Sequence, residues 1–300
     1  MGVNVAVFGI NGLLGGPVLE ALTTTPFGSK VASVKAITRS QPKEKWDKVD
    51  YIVADITKAD DQKKVVDAIK GVDVIIGLNA PDASVYSGLE AIIPQVKPKL
   101  YVPSQFGAEL AGAQKVLPGF LQPKVDHSNK VRKDGIKVVD VSTGLFIVPG
   151  SFAYEFVPQF GINAEDATVT QRGDANTPIS VSALEDVGKV VASIATTADY
   201  SKLPDSLRVR SDQVTFAEVQ ETWSNNHGKK LNVVKQLSLD EAREEAADIW
   251  GKGFDPSKFG YYLQAIASQG SGKGLVFESV DNDLVNPGTW EWTKYKRNTN

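Results

Sequence analysis

Cysteine is absent from this chain, which excludes disulfides, thiolate metal sites and cysteine nucleophiles together. Histidine is nearly absent. With only His127 and His227, a zinc centre is not expected, and no other metal site is expected either. Long apolar runs are also missing, and none approaches the ~18 residues that a membrane-spanning helix needs. No basic leader precedes the first apolar run, and Ala6 breaks the myristoylation pattern that Gly2 begins. Nor is there a dense basic stripe. The 33 basic and 36 acidic residues are dispersed and leave a net charge of -3, which argues against a nucleic-acid surface. The expectation is a soluble cytoplasmic protein, monomer or homodimer, whose partner is a small molecule and neither nucleic acid nor membrane.

The residues that are present have ordinary globular proportions: 42% hydrophobic, 26 Gly and 15 Pro among 300. In the first half, short β-branched runs alternate with helical stretches. Strands are predicted at 3–8, 34–39, 51–54, 72–77, 99–103 and 137–142, with helices running to about Leu22 and over 60–70, 84–96 and 124–134. Near-continuous apolar strands separated by helices mean a parallel sheet covered on both faces. The predicted fold is therefore α/β, a Rossmann-type doubly wound parallel sheet. Beyond about residue 150 the pattern loosens into a smaller α+β region. It contains predicted helices at 182–196 and 215–226, short strands at 206–210 and 233–236, and capping boxes at Thr215–Glu218 and Ser238–Glu241. The domain reading is 1–150 for nucleotide binding, with a return segment near 177–200, and 151–300 for substrate binding.

Directly after the first strand, Gly9-Ile10-Asn11-Gly12-Leu13-Leu14-Gly15 has the form G-x-x-G-x-x-G and opens a helix. Gly9 permits the tight turn, Gly12 lets a pyrophosphate approach, and Gly15 lets the helix pack closely. The exposed N–H groups and the positive helix end would receive the phosphates. A site for NAD usually carries an acidic residue at the end of strand two. Here no Asp or Glu lies between Glu20 and Glu44, and the strand ends Thr38-Arg39-Ser40, with Lys43 nearby. A guanidinium and a hydroxyl suit a 2′-phosphate, so the expected cofactor is NADPH/NADP.

No tyrosine of this chain has lysine four residues later, so the Tyr-x-x-x-Lys pair used by many dehydrogenases of this fold is missing. Ligands bind beyond the carboxyl ends of such strands. Those ends carry Asn79 and Ala80 after strand four, and Ser104, Gln105, Phe106 and Gly107 after strand five. Leu145, Phe146, Val148, Phe152 and Tyr154 follow strand six and, with Phe106 and Gly107, form the expected substrate wall, Tyr154 supplying a hydroxyl. Lys124 leads the segment just before strand six. Spacing alone leaves it open whether this lysine faces the cleft or the solvent.

In their order along the chain these features resemble the NmrA-like, isoflavone-reductase-like group of atypical short-chain dehydrogenases/reductases. The glycine turn is followed by arginine at strand two. Val102-Pro103-Ser104-Gln105-Phe106-Gly107 resembles the family's P-S-E-F-G segment, and Lys124 stands eleven residues before Gly135-Ile136, the place of the family's active-site lysine. Segments 179–191 and 215–228 resemble its C-terminal part. The resemblance implies NADPH-dependent reduction of a small aromatic or conjugated molecule, with Lys124 as general acid/base. It also implies two alternatives: a non-catalytic dinucleotide-sensing regulator, or an NADPH–quinone reductase. Asn11 stands for the family's threonine, Gln105 for its glutamate and Lys137 for its proline. His127 is expected at the surface.

Overall fold

The computed structural model describes residues 2–42 and 45–297. Strand β1 (Val3–Phe8) sends Val5 and Val7 to one face and Ala6 and Phe8 to the other, and all four are buried. A strand that is apolar on both faces needs cover on both, which a parallel sheet between helix layers supplies. The chain then runs through α1 (Gly15–Thr23), β2 (Val31–Thr38), β3 (Val49–Val53), α2 (Ala59–Ala68), β4 (Val74–Gly77), α3 (Ala83–Val96) and β5 (Leu100–Val102). The five strands are parallel in the order β3-β2-β1-β4-β5. The order reverses beside β1, so a crevice opens at the carboxyl ends of β1 and β4.

Helices α4 (Leu110–Ala113) and α5 (Gln122–Lys133) follow, then β6 (Asp140–Ser142). The predicted sixth strand starts three residues too early. Val138 makes only an isolated parallel bridge to Tyr101, and the ladder proper begins at Asp140.

The remaining chain builds smaller mixed sheets. β7 (Leu145–Ile147), β8 (Ile162–Asn163), β9 (Thr168–Arg172) and β10 (Pro178–Ala183) precede α6 (Leu184–Ala195), β11 (Ser206–Arg208) and β12 (Asp212–Thr215). Then come α7 (Phe216–His227), β13 (Asn232–Leu237), α8 (Leu239–Gly251) and α9 (Phe259–Ser268). β11 pairs in parallel with β6; β10 joins β7 in parallel and β12 antiparallel. Both capping boxes form, with Thr215 and Ser238 accepting from the N–H groups of Glu218 and Glu241. α6 lies against α1, where a Cβ on Gly188 would press into the carbonyl of Pro17. A second core forms around Phe160, Phe216, Trp223 and Tyr262. Among the described residues no helix is long and apolar enough to cross a membrane.

Candidate functional site

The glycine turn sits at the mouth of the crevice. Gly9 has φ of 81°, and a Cβ there would meet the backbone of Leu78 and Asn79 at 2.8–2.9 Å. A Cβ on Gly15 would collide with the carbonyl of Ile10, while one on Gly12 would meet only Gly9 O at 3.8 Å. Gly9 and Gly15 are thus demanded by the protein's own packing. Gly12 faces open space, as a position approached by a ligand should. Leu14 holds the cap position before α1 and makes no side-chain cap, and the helix has no acidic residue in its first turn. The Gly15 N–H is taken by Gly12 O at 3.2 Å and Pro17 has none, which leaves the Gly16 N–H and the positive helix end to an anion. Leu14 itself is buried in the core, and Leu13 is exposed, so these two can offer only backbone groups to phosphate.

A cavity of about 360 Å³ extends from this turn across the ends of β1, β2, β3 and β4. Gly9, Asn11, Gly12, Thr38, Arg39, Asn79 and Ala80 line it. Asn79 Oδ1 is buried there with no hydrogen-bond partner, an acceptor awaiting a donor. Asn11 turns its amide onto Thr38 Oγ1 at 3.0 Å, and Thr38 donates to the carbonyl of Ser40 at 2.9 Å. The two residues thereby tie the glycine turn to the end of β2. Arg39 is exposed at the rim. Lys43 lies outside the described residues. Sequence reasoning missed Asp55 and Asp82, which also line the cavity. Asp55 is held below the usual carboxylate range mainly by hydrogen bonds from Thr57, and Asp82 by those from Ser84 and Val85. Arg39 adds a smaller contribution to both. Asx turns after β3 and before α3 were the available signal.

At the carboxyl end of β5 the second half of the site gathers around Lys124. Pro123 stands in the first turn of α5, which suits a residue without an N–H. Leu121, the residue that caps this helix, is in the left-handed region with φ of 49°. Such a conformation in a residue with a Cβ marks a constrained entrance to the helix. Lys124 Nζ donates to Ser104 O at 2.7 Å. Desolvation pulls this amine down to about 8, against the opposing pull of Asp140. The Gln105 amide donates to Lys124 O and Ser128 Oγ, each at 2.9 Å, and so fixes the helix that carries the lysine. Ser128 Oγ donates a hydrogen bond to Asp140 Oδ1 at 2.8 Å, and Arg132 donates to the other Asp140 oxygen at 2.7 Å.

His127 is not at the surface. It is 2% exposed and stacks on Tyr86 at 4.4 Å. Its Nε2 lies 2.9 Å from the Tyr101 hydroxyl and its Nδ1 2.9 Å from Glu90. Burial raises the Tyr101 phenol far above its ordinary value, so it keeps its proton and donates to Nε2. The ring hydrogen must then be on Nδ1, aimed at Glu90. The misreading came from the polar neighbours Asp126 and Asn129, because one helical turn presents its residues to different surroundings. Burial lowers the His127 pKa. Its unfolded value is about 6.5, so its contribution to stability is complete above that pH and is lost as pH falls through the depressed folded value. His127→Gln should therefore destabilise the fold by about 1–3 kcal/mol at pH 7.5, and the gap from the wild type should narrow at pH 5.5. Urea unfolding at the two pH values tests this. A gap that widens toward acid would contradict the neutral ring.

The expected substrate wall divides. Leu145 joins the second core, while Phe146 packs against the first, together with Val148 and the buried Phe106. Successive strand residues face opposite sides, so Leu145 and Phe146 cannot line one surface. Gly107 O accepts the N–H groups of Thr143 and Gly144 at 3.0 and 2.9 Å, joining the ends of β5 and β6. Phe152 pairs edge-on with Phe156. Tyr154 is 4% exposed, its hydroxyl accepts the Lys296 N–H at 3.1 Å, and its ring stacks on Tyr295. The C-terminal segment, 142 residues on, takes the group that local sequence had left available.

This geometry defines a doubly wound, Rossmann-like fold with a desolvated lysine at the carboxyl edge of its sheet. The family model of the NmrA-like family matches residues 1–241, and the chain belongs to that family. Among solved structures it is similar to isoflavone reductase, at 19% identity and a TM-score of 0.70 over 97% of this chain and 96% of that one. It is likewise similar to the leucoanthocyanidin reductase–NADPH complex from Vitis vinifera, at 18% identity and a TM-score of 0.69 over 96% and 95%. A third is AtPrR2 with NADP+ and (+)pinoresinol, at 17% identity and a TM-score of 0.62 over 89% and 86%. No curated protein sequence matches this chain.

Proposed function

We propose that this protein is an NADPH-dependent reductase of a small aromatic or conjugated molecule, with Lys124 as its proton-handling group. The observation that carries the reading is the amine of Lys124, desolvated and anchored to Ser104 O at the carboxyl end of β5, the strand next to β4, beyond whose end Leu78 and Asn79 line the cavity of the glycine turn. The residues present fit a phosphorylated dinucleotide. Gly12 leaves space for the pyrophosphate, the uncapped start of α1 offers the Gly16 N–H and its positive end, Asn79 Oδ1 lacks a donor, and Arg39 offers a guanidinium to a 2′-phosphate. The cofactor, when bound, supplies a hydride.

The chain's part is to orient the acceptor and manage one proton. An ammonium has three donors, and the Ser104 carbonyl takes only one from Lys124, which leaves two for a substrate oxygen. With a pKa near the working pH the group can give its proton and be recharged. Its neighbours Gln105, Ser128 and Asp140 hold the helix and its charge in place.

The cofactor reading predicts a clear titration. Calorimetry should show NADPH and NADP binding more tightly than NADH and NAD. Arg39→Ala should weaken only the phosphorylated pair, by about tenfold to a hundredfold, since a charge-assisted hydrogen bond is worth ~1.5–3 kcal/mol. Equal affinities for both pairs would defeat the assignment of Arg39 and favour a dinucleotide-sensing regulator.

A further inference from the structure

α5 is fastened to β5 and its exit at two points. Lys124 Nζ donates to Ser104 O at 2.7 Å, and one turn further along the helix His127 Nε2 accepts from the Tyr101 hydroxyl at 2.9 Å. The two helix residues are three apart, and so are the two residues they hold. Side chains three apart on a helix leave it on one face. The two fastenings differ in stiffness. Lysine reaches through a flexible four-carbon stem, whereas the imidazole is enclosed. Its ring stacks on Tyr86 of α3, and its Nδ1 lies 2.9 Å from Glu90 of the same helix. Lys130 of α5 holds the other Glu90 oxygen at 2.6 Å. One ring thus joins α3, α5 and β5. The Tyr101 hydroxyl also presses on the end of β4, where a Cβ on Gly77 would come within 3.0 Å of it. The next residues, Leu78 and Asn79, line the cavity of the glycine turn. Gln105 and Ser128 tie α5 on its other flank, toward Asp140 of β6.

We propose that His127 is a positioning residue for Lys124: by holding Tyr101 and Glu90 it sets the depth of α5 against the sheet and so keeps the amine seated on Ser104 O. This rests on the reading of Lys124 as the proton-handling group. The histidine touches neither substrate nor cofactor, and it acts only through the helix it shares with the lysine. Without it, α5 is held on the flank toward β6 alone, and the lysine stem is free to swing its amine into water.

The test reads the amine directly and needs no substrate. The full chain with ¹³C-labelled lysine is titrated across the neutral and alkaline range while the Lys124 Cε signal is followed. That signal is identified by its loss in Lys124→Met. The wild-type amine should titrate near 8, against about 10.4 for an ordinary lysine. Over this range His127 stays neutral, since burial lowers its pKa, and Tyr86, pushed up to about 12, and Tyr101 keep their protons. Asp140, whose charge acts on both Lys124 and His127, is present in every variant. Tyr101→Phe removes one hydroxyl and leaves the ring, and His127→Leu removes both bonds of the imidazole. Each should raise the Lys124 value by about one pH unit as water reaches the amine, and the alkaline limb of kcat should move up with it. Asp186→Ala, which removes a buried carboxylate in the first turn of α6, should destabilise the fold and leave the Lys124 value in place. Should His127→Leu not fold, Tyr101→Phe carries the test. An unmoved Lys124 value in the folded variants, or an equal rise in Asp186→Ala, would overturn the proposal and leave the role of the lysine intact. An ordinary value in the wild type would overturn it together with the reading of Lys124.

Discussion

Replacing Lys124 with methionine should lower turnover of an accepted substrate by ~10²–10⁴-fold, the usual worth of a positioned acid or base. Methionine preserves the apolar stem and removes only the ammonium. In the direction of reduction the wild-type rate should be level below pH 8 and fall above it, as the amine near 8 loses the proton it must donate. That falling limb should vanish from the residual activity of Lys124→Met. Lys124→Arg should keep a positive charge but cannot give up a proton near this pH, so it should be nearly as slow. The decisive measurement is kcat against pH for all three forms. If Lys124→Met retains full turnover and the falling limb, the lysine is only a strut to Ser104 O. A hydride-only reaction with a quinone would then be the better reading.

The largest effect on stability is expected far from this amine, at Asp186. Its side chain is fully buried in the first turn of α6. One oxygen accepts from Ser211 Oγ at 2.7 Å and from the Thr293 N–H at 2.8 Å, and the other faces Lys189 at 3.4 Å. One carboxylate thus joins α6, the loop before β12 and the C-terminal segment. Asp186→Ala removes an acceptor and leaves a hydroxyl, an N–H and an ammonium without it. Breaking a buried charged network of this kind costs about 3–5 kcal/mol. The urea midpoint should fall accordingly, and backbone exchange should quicken first in residues 290–297. Asp186→Asn keeps one acceptor and should lose clearly less. A midpoint unchanged in Asp186→Ala would mean that the C-terminal segment is held by its other contacts alone, such as the pairing of Arg297 with Asp212 and Glu218.

These two sites differ in how much the residues announced. The steric demand at Gly9 comes from Leu78 and Asn79 beyond the end of β4, whereas the demand at Gly15 comes from Ile10, five residues before it, and so follows from local sequence. The same holds for the two capping boxes, which close over three residues. Lys124 was visible as a candidate, but nothing in the spacing placed it inside or outside the cleft. Its anchor, Ser104, is 20 residues away. Asp186 stood in a segment matched only as a motif, and its partners Ser211 and Thr293 lie 25 and 107 residues on.

Periodicity and composition were enough for the layered architecture, since a strand apolar on both faces has few stable alternatives to burial between helices. They also sufficed for the glycine turn and for Arg39 at the end of β2. The assembled molecule alone buried His127 against Tyr86, turned Leu145 and Phe146 to different cores, and gave the hydroxyl of Tyr154 to the C-terminal segment. Each of these outcomes depends on a partner distant in sequence. Backbone preference and pattern act over a few residues, whereas burial, desolvation and the partner of a polar group are properties of the packed whole.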